Sequence, residues 1–314
     1  MIEIRNLTKR FGDTVAVDDI SFDVVPGRVT GFLGPNGSGK STTMRMIMGL
    51  DWPTSGTVTV NGRPHEGLRR PLFEVGALLD ANAVHGGRSA YNHLLSLAQS
   101  NGIAHGRVDE VIERVGLESV ASKRAGGFSL GMSQRLGIAA ALLGDPGVML
   151  FDEPVNGLDP EGIRWIRNLL RSFAAEGRTI LISSHLMSEM ALTADHLIVI
   201  GRGRLIADTS VQAFIAQSTQ SFVRVRSPQL DELAGAISAQ GGGTRPEPDG
   251  ALAVSGVRIS VIGDLARNAG IALHELSPQV ASLEEAFMEL TRESVEFHAG
   301  AEVANTSAAI GGEG

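Results

Sequence analysis

VTGFLGPNGSGKSTTMRMIMGL, Val29–Leu50, contains three successive grammars. An apolar run opens it, a Gly-rich run follows, and a stretch of helix formers closes at Gly49, a residue type suited to end a helix. Within it, Gly34 to Ser41 satisfies G-x-x-x-x-G-K-[ST]. The flanking pattern is strand before and helix after, the context in which small residues let backbone N–H groups converge on phosphate oxygens at a helix N-terminus. Gly34, Pro35, Asn36, Gly37, Ser38 and Gly39 are expected to form this phosphate-binding loop, with Lys40, Ser41 and Thr42 opening the helix. Lys40 supplies a cation for β- and γ-phosphates, and Ser41 a hydroxyl for Mg²⁺. A bare Gly-rich turn is the alternative, and the strand–helix context weighs against it.

Such a loop needs a carboxylate from another strand to finish the magnesium site. "GVMLFDEP" (147–154) is an apolar strand with Asp152 at its end. Asp152 is expected to hold Mg²⁺, directly or through water. Glu153 beside it is placed to polarise the attacking water, a general-base role typically contributing ~10²–10⁴-fold; a solvated carboxylate is the alternative. His185 ends the next apolar strand, "RTILISSH" (178–185). Carboxyl ends of parallel strands converge on one edge, so His185 can contact the γ-phosphate. A surface histidine, or an i,i+4 metal pair with Glu189 that lacks a third ligand nearby, are the other possibilities.

"GFSLG" (127–131) spells G-x-S-x-G, the nucleophile elbow of serine hydrolases. That elbow requires a buried strand just before the serine, and "ESVASKRAG" (118–126) is polar and Gly-punctuated. The elbow context is therefore missing, and these residues alone leave open what Ser129 does instead.

Outward from these motifs, Ile2/Ile4 and Ile20/Phe22/Val24 alternate as strands, and "TVTVNGRP" (57–64) is a strand entering an Asn-Gly turn. From about 88 to 147 the apolar spacing is helical: Leu94, Leu95 and Ala98, then Val108, Val111, Ile112 and Val115. "IRWIRNLLRSFAA" (163–175) predicts a helix between the apolar strands, and "HLIVIGRGRLIAD" (196–208) returns to strand. The expected fold is α/β, a P-loop NTPase core with a mainly parallel sheet plus N-terminal antiparallel strands and a helical insert, followed by a small α/β domain. The boundaries expected are 1–217 for the first domain and 218–294 for the second. In the second, "SFVRVRS" predicts a strand, "LDELAGAISAQ" a helix and "GGGTRPEPDG" (241–250) a loop. Ser282 with Glu285 three residues on is a capping box for a last helix that places Leu283, Ala286, Phe287 and Leu290 on one face. Residues 295–314, rich in Ala, Gly and Glu, are expected to be a disordered tail.

Composition bounds the partners. A formal charge of −8 and a pI near 5.5 argue against a nucleic-acid groove, whose footprint is basic. There is no Cys, hence neither a disulfide framework nor a thiolate metal site. No run of eighteen apolar residues occurs, and "MIEIRNLTKRFGD" lacks the apolar core of a secretory signal, so a cytoplasmic location is expected.

Over residues 1 to about 215 the chain resembles the nucleotide-binding domain of ATP-binding-cassette (ABC) transporters. The family's signature L-S-G-G-Q-x-Q-R maps onto Phe128-Ser129-Leu130-Gly131-Met132-Ser133-Gln134-Arg135. The resemblance implies that Ser129 is a γ-phosphate ligand and not a nucleophile, its hydroxyl, the Gly131 N–H and the helix start forming an anion site that faces the nucleotide of a second protomer, so a homodimer, or a pair with a closely related second subunit, forms the working unit. It implies that "NGLD" (156–159), with Asp159, crosses the dimer interface. It also implies that Phe11 stacks on adenine, with burial in the core as its alternative, and that Asp80 stands where a glutamine usually orients water or Mg²⁺. Leu130 and Met132 depart from the common Gly and Gln. The signature variant and the C-terminal "SLEEAFMELT" resemble ATPase subunits of bacterial drug and peptide-antibiotic exporters. That implies ATP and Mg²⁺ as cofactors, a separate membrane permease as partner, and a position on the inner face of the cell membrane. A soluble cassette ATPase acting on a macromolecule, and a regulatory module without turnover, are the competing functions.

Overall fold

The computed structural model describes residues 1–81, 83–218 and 221–291; the tail expected at 295–314 lies outside them. The chain divides into two compact units, the first Met1–Ser210 and the second beginning at Val211.

In the first unit, β1 (Ile2–Phe11) and β2 (Thr14–Val24) form an antiparallel hairpin. The buried strand β3 (Val29–Leu33) runs into α1 (Lys40–Ile47), and β4 (Ser55–Val60) returns to pair antiparallel with β1. Gly49 ends α1 at φ +64°, and the turn after β4 carries Asn61 at φ +50° and Gly62 at φ +76°, the paired left-handed geometry that Asn-Gly favours. The chain continues through α2 (Pro71–Glu74) and β5 (Val75–Leu78) into a helical insert, α3 (Ala90–Ser100), α4 (Gly106–Arg114) and α5 (Leu130–Leu142). It then alternates as β6 (Val148–Phe151), α6 (Pro160–Ala175), β7 (Thr179–Ser183), α7 (Met187–Thr193), β8 (His196–Gly201) and β9 (Arg204–Ser210).

The main sheet has six strands in the order β5-β6-β7-β3-β8-β9, parallel except for β9, and the antiparallel sheet has the order β2-β1-β4. Every residue of β3, β6 and β7 is buried, which explains their continuous apolar sequences. One core joins the two sheets and α1: Ile4, Ile20, Met44, Leu150 and Leu181 belong to it, and the Phe22 and Phe32 rings meet with centroids 5.6 Å apart. Helix α5 lies close on the far end of the sheet. A Cβ on Gly76 would sit 2.1 Å from the Ala141 carbonyl oxygen and 2.8 Å from the Pro146 ring.

The second unit opens with α8 (Val211–Ala216), and the boundary therefore falls at 210/211 instead of near 217. Just past α8, Ser218 donates a 2.7 Å hydrogen bond to Glu289 in the last helical segment, 283–291. Then follow β10 (Phe222–Arg226), α9 (Leu230–Ala239), β11 (Gly243–Pro246), β12 (Leu252–Ser255), α10 (Ile259–Ala269) and β13 (Glu275–Gln279). The βαββαβ order, with an antiparallel sheet β11-β12-β10-β13, is a split βαβ topology. Its core is Val223, Val225, Leu233, Ile237, Val254 and Ile262 with their neighbours.

One expectation is corrected here. Gly243–Pro246, within the stretch expected to be a loop, forms the edge strand β11, where pairing with β12 overrides a turn-like composition and Pro246 is tolerated because an edge needs no second ladder. The capping box is present: the Ser282 N–H donates to Glu285 Oε2 at 2.7 Å, and the Glu285 N–H to Ser282 Oγ at 3.1 Å.

Gly76→Ala tests the packing of α5 on β5. Because the obstructing atoms are backbone, the substitution should cost about 1–3 kcal/mol in urea unfolding; an unchanged midpoint would show that the helix seat is loose.

Candidate nucleotide site

The sheet order determines what can meet. The Gly-rich loop leaves β3, Asp152 and Glu153 leave β6, and β7 lies between those two strands and delivers Ser183 and His185 to the same edge. A cleft of ≈ 310 Å³ opens there, lined by Asn36, Gly37, Gly39, Lys40, Ser41 and Thr42 from the loop and α1, by Asp152 and Glu153, and by Ala16 of β2. Gly34, Pro35 and Ser38 underpin the loop. A Cβ on Gly34 would lie 2.4 Å from the Ile200 carbonyl oxygen, and the Ser38 N–H donates to Pro35 O at 3.1 Å while the Ser38 side chain is buried. Gly39, at φ +105°, combines a left-handed backbone with a 2.5 Å approach to Ala16 O that leaves no room for a side chain.

Lys40 is only 7% exposed, and its Nζ donates to the carbonyls of Gly34 at 2.6 Å and Pro35 at 3.1 Å. Burial pushes its ammonium below the usual lysine value, opposed by the charges of Glu153 and Asp152. Phosphates placed in the cleft favour the charged form.

The Asp152 carboxylate is held from two sides. Ser41 Oγ donates to Oδ2 at 2.7 Å, and Ser183 Oγ donates to Oδ1. A hydroxyl and a carboxylate at one point are hard oxygen donors, the chemistry Mg²⁺ takes when phosphates supply its other ligands. Among the described residues no cluster of three or more His, Cys, Asp or Glu could hold a metal ion.

Glu153 is a non-glycine residue at φ +52°, in the sparsely populated left-handed region. Its N–H donates to Ser183 Oγ at 2.9 Å, and its carbonyl accepts from Gln134 Nε2 at 3.4 Å. Its Oε2 lies 2.8 Å from His185 Nδ1 and accepts the His185 N–H at 3.3 Å. Glu153 is thus a fixed group and not a freely solvated carboxylate. The alternative pairing of His185 with Glu189 does not form, because Glu189 is bound to Arg167 at 2.5 Å. Ser183 and Ala16 had no signal in the linear sequence; their positions come from which strands and helices adjoin, as does the contact that Gln134 of the signature segment makes with Glu153.

The other expected residues lie outside the cleft of their own chain. Ser129 caps α5 with unstrained φ −65° and ψ 163°, accepting from Met132 N at 3.3 Å, after a short 3₁₀ turn at Ala125–Gly127 and no strand. The elbow geometry is absent. Gly131 is packed against the 156–159 segment, where a Cβ would meet Gly157 O at 2.8 Å. Asp159 caps α6, accepting from Gly162 N at 2.7 Å. Phe11 is 51% exposed, which removes the core alternative, and Lys9 Nζ lies 4.8 Å from its ring centroid. Asp80 is exposed two residues beyond the end of β5, beside the β6 end that carries Asp152.

Comparison with known proteins agrees with this geometry. The profile described as ABC transporter matches residues 17–156, and one described as a domain of unknown function (DUF8746) matches 221–284. The chain is 34% identical to the uncharacterized ABC transporter ATP-binding protein YhcH of Bacillus subtilis, over 94% of this chain and 97% of that protein. It is 42% identical to the bacitracin transport ATP-binding protein BcrA of Bacillus licheniformis, over 66% of this chain and 69% of that one. A solved ATP-binding subunit of an ABC transporter superposes with TM-score 0.64 at 26% identity, covering 69% of this chain and 92% of that chain. A dimeric ATP-binding cassette solved after hydrolysis with ADP and phosphate shares the fold, with TM-score 0.62 over 67% of this chain and 99% of that chain. The chain belongs to the ABC transporter family as an ATP-binding subunit, an ATPase with a P-loop NTPase fold.

Lys40→Ala should weaken ATP binding about tenfold to a hundredfold, the worth of a hydrogen bond to a charged group. Because the lysine is depressed in the protein alone and favoured charged beside phosphate, wild-type affinity should be full below that lowered value and fall as pH rises through it. Equilibrium binding of a labelled ATP analogue measures both; affinity indifferent to the substitution would remove Lys40 from the site.

Proposed function

We propose that this chain is the ATP-hydrolysing subunit of an exporter, binding MgATP between two copies of itself, or with a closely related second subunit, to drive a separate membrane permease. The observation that carries it is the linked set Ser41–Asp152–Ser183–Glu153–His185 at the mouth of the Gly-rich cleft. The loop N–H groups and Lys40 bind the phosphates, while Ser41 and Asp152 hold Mg²⁺. When bound at Ser41 and Asp152, the ion would supply charge neutralisation to the phosphates. Glu153 takes the proton of the attacking water, and His185 fixes the Glu153 side chain and contacts the γ-phosphate. Phe11 stacks on the adenine, and Asp80 orients water or the ion's ligands from the β5 end.

Ser129, exposed, caps the thirteen-residue helix α5 and half-buried Gly131 lies in its first turn; neither lines the Gly-rich cleft of its own chain. Facing the nucleotide of the second copy, they complete its γ-phosphate site with hydroxyl, backbone N–H and helix terminus, while Asp159 lies along the interface. The interface is then isologous and holds two composite sites. Among the described residues no helix is long and apolar enough to cross a membrane, which supports a permease on another chain and a peripheral position on the inner membrane face. Export of a drug, peptide or lipid-like compound is favoured by likeness to the bacitracin transporter subunit above and to the Nod factor export ATP-binding protein I of Burkholderia lata, 39% identical over 68% of this chain and 72% of that one.

Glu153→Gln should retain ATP binding and lose hydrolysis by about a hundredfold or more in a phosphate-release assay, because an amide does not accept the water's proton. On that background ATP should drive dimerisation in sedimentation, and Ser129→Arg should abolish the dimer while monomer ATP affinity stays nearly unchanged. Turnover near wild type in Glu153→Gln, or a dimer that survives the arginine, would contradict the proposed mechanism.

A further inference from the structure

Ser183 is the last residue of β7 and is fully buried, at 0% exposure. Sealed from solvent and absent from the cleft lining, it is not placed to touch a nucleotide. A buried hydroxyl at the end of the strand Thr179-Ile180-Leu181-Ile182-Ser183 is costly unless it is hydrogen-bonded. Here it is bonded both ways: the O–H donates to Asp152 Oδ1, and the oxygen accepts the Glu153 N–H at 2.9 Å. One O–H and two lone pairs on a single small atom make serine suited to serve two adjacent residues of the neighbouring strand at once. The adjacent Ser184 does something else, accepting locally from Leu186 N at 3.0 Å.

We propose that Ser183 is a positioning residue for hydrolysis: its hydroxyl orients the Asp152 carboxylate for Mg²⁺ and anchors Glu153 in its left-handed backbone conformation, so that it sets cation affinity and turnover without contacting ATP. The role rests on the assignment of Asp152 and Glu153 above. With Oδ1 tied to Ser183, Oδ2 is presented to Ser41 at 2.7 Å, and the carboxylate cannot pivot between the two. The Glu153 amide loses its acceptor if the hydroxyl is removed, and the conformation that aims its carboxylate at His185 then loses a restraint close to the strand end. Partners that orient metal ligands typically change affinity or activity about tenfold to a hundredfold when deleted.

The experiment compares Ser183→Ala with wild type as the full chain. In the nucleotide-free protein, amide hydrogen exchange at Glu153 should accelerate, while that at Asp152, whose N–H donates to Leu78 O at 2.8 Å, should not. The Mg²⁺ concentration for half-maximal ATPase activity should rise about tenfold or more, with kcat lowered and Mg²⁺-free ATP affinity unchanged. Ser183→Cys, close in size with a weak donor and acceptor, should fall between the two on both readouts, and stands in should the alanine variant not fold. A wild-type value of either readout in Ser183→Ala overturns the proposal, as does acceleration spread equally over Asp152 and Glu153, the mark of a merely structural residue. Normal turnover in Glu153→Gln would overturn the assignment of Glu153 instead, and is measured separately from the exchange result.

Discussion

The carboxylate of Asp152 accepts two hydrogen bonds from opposite directions, one from Ser41 at the start of α1 and one from Ser183 at the end of β7. For both to form, the strand carrying the phosphate loop and the strand carrying the carboxylate must lie one strand apart, with β7 between them. The order β6-β7-β3 provides this. Complete burial of these three strands makes their register insensitive to solvent, and their parallel direction brings all three carboxyl ends to one edge. The glycine loop, the lysine and the glutamate–histidine pair take their positions from that arrangement.

The site also holds two states that an isolated chain disfavours. Lys40 is buried with carbonyl oxygens as its hydrogen-bond partners, and Glu153 occupies a left-handed backbone conformation. Each is compensated within a few ångströms: the lysine by the Gly34 and Pro35 carbonyls, the glutamate by contacts from Ser183, Gln134 and His185. Contacts continue outward from this cluster. Gln134 reaches from α5 to the Glu153 carbonyl, the Arg135 guanidinium lies 4.4 Å from the Trp165 ring centroid on α6, and Arg167 on α6 pairs with Glu189 on α7. The helix that begins at Ser129 is thereby joined through side chains to the strand ends that carry Glu153 and His185.

Much of this was legible in the linear sequence because its physics is local. Gly34 to Ser41 needs only its own glycines and the strand and helix on either side, and the Ser282–Glu285 capping box is a four-residue event. Asp152, Glu153 and His185 were legible as the polar ends of apolar strands. Ser183 was not, because its significance lies in β7 being inserted between β6 and β3, an adjacency no periodicity records. For the same reason Gln134, legible as part of the signature segment, gave no sign of its contact with the Glu153 carbonyl. "GGGTRPEPDG" looks like a loop because glycine and proline weaken a strand; pairing with β12 makes four of its residues an edge strand. At Ser129 the string alone suggested a nucleophile, and the failed strand context resolved it, since the serine caps a helix with ordinary backbone angles.

The central claim is that each Gly-rich cleft is completed by Ser129 of a second copy, and the absence of Cys allows a direct measurement. Introducing Asn36→Cys and Ser129→Cys together, on the Glu153→Gln background, creates one thiol at the cleft and one at the start of α5. Under mild oxidation, ATP should produce a covalent dimer joined 36 to 129 between chains, while ADP and the nucleotide-free protein should not. A protein that binds ATP yet yields no such dimer, or yields it equally without nucleotide, would contradict the account.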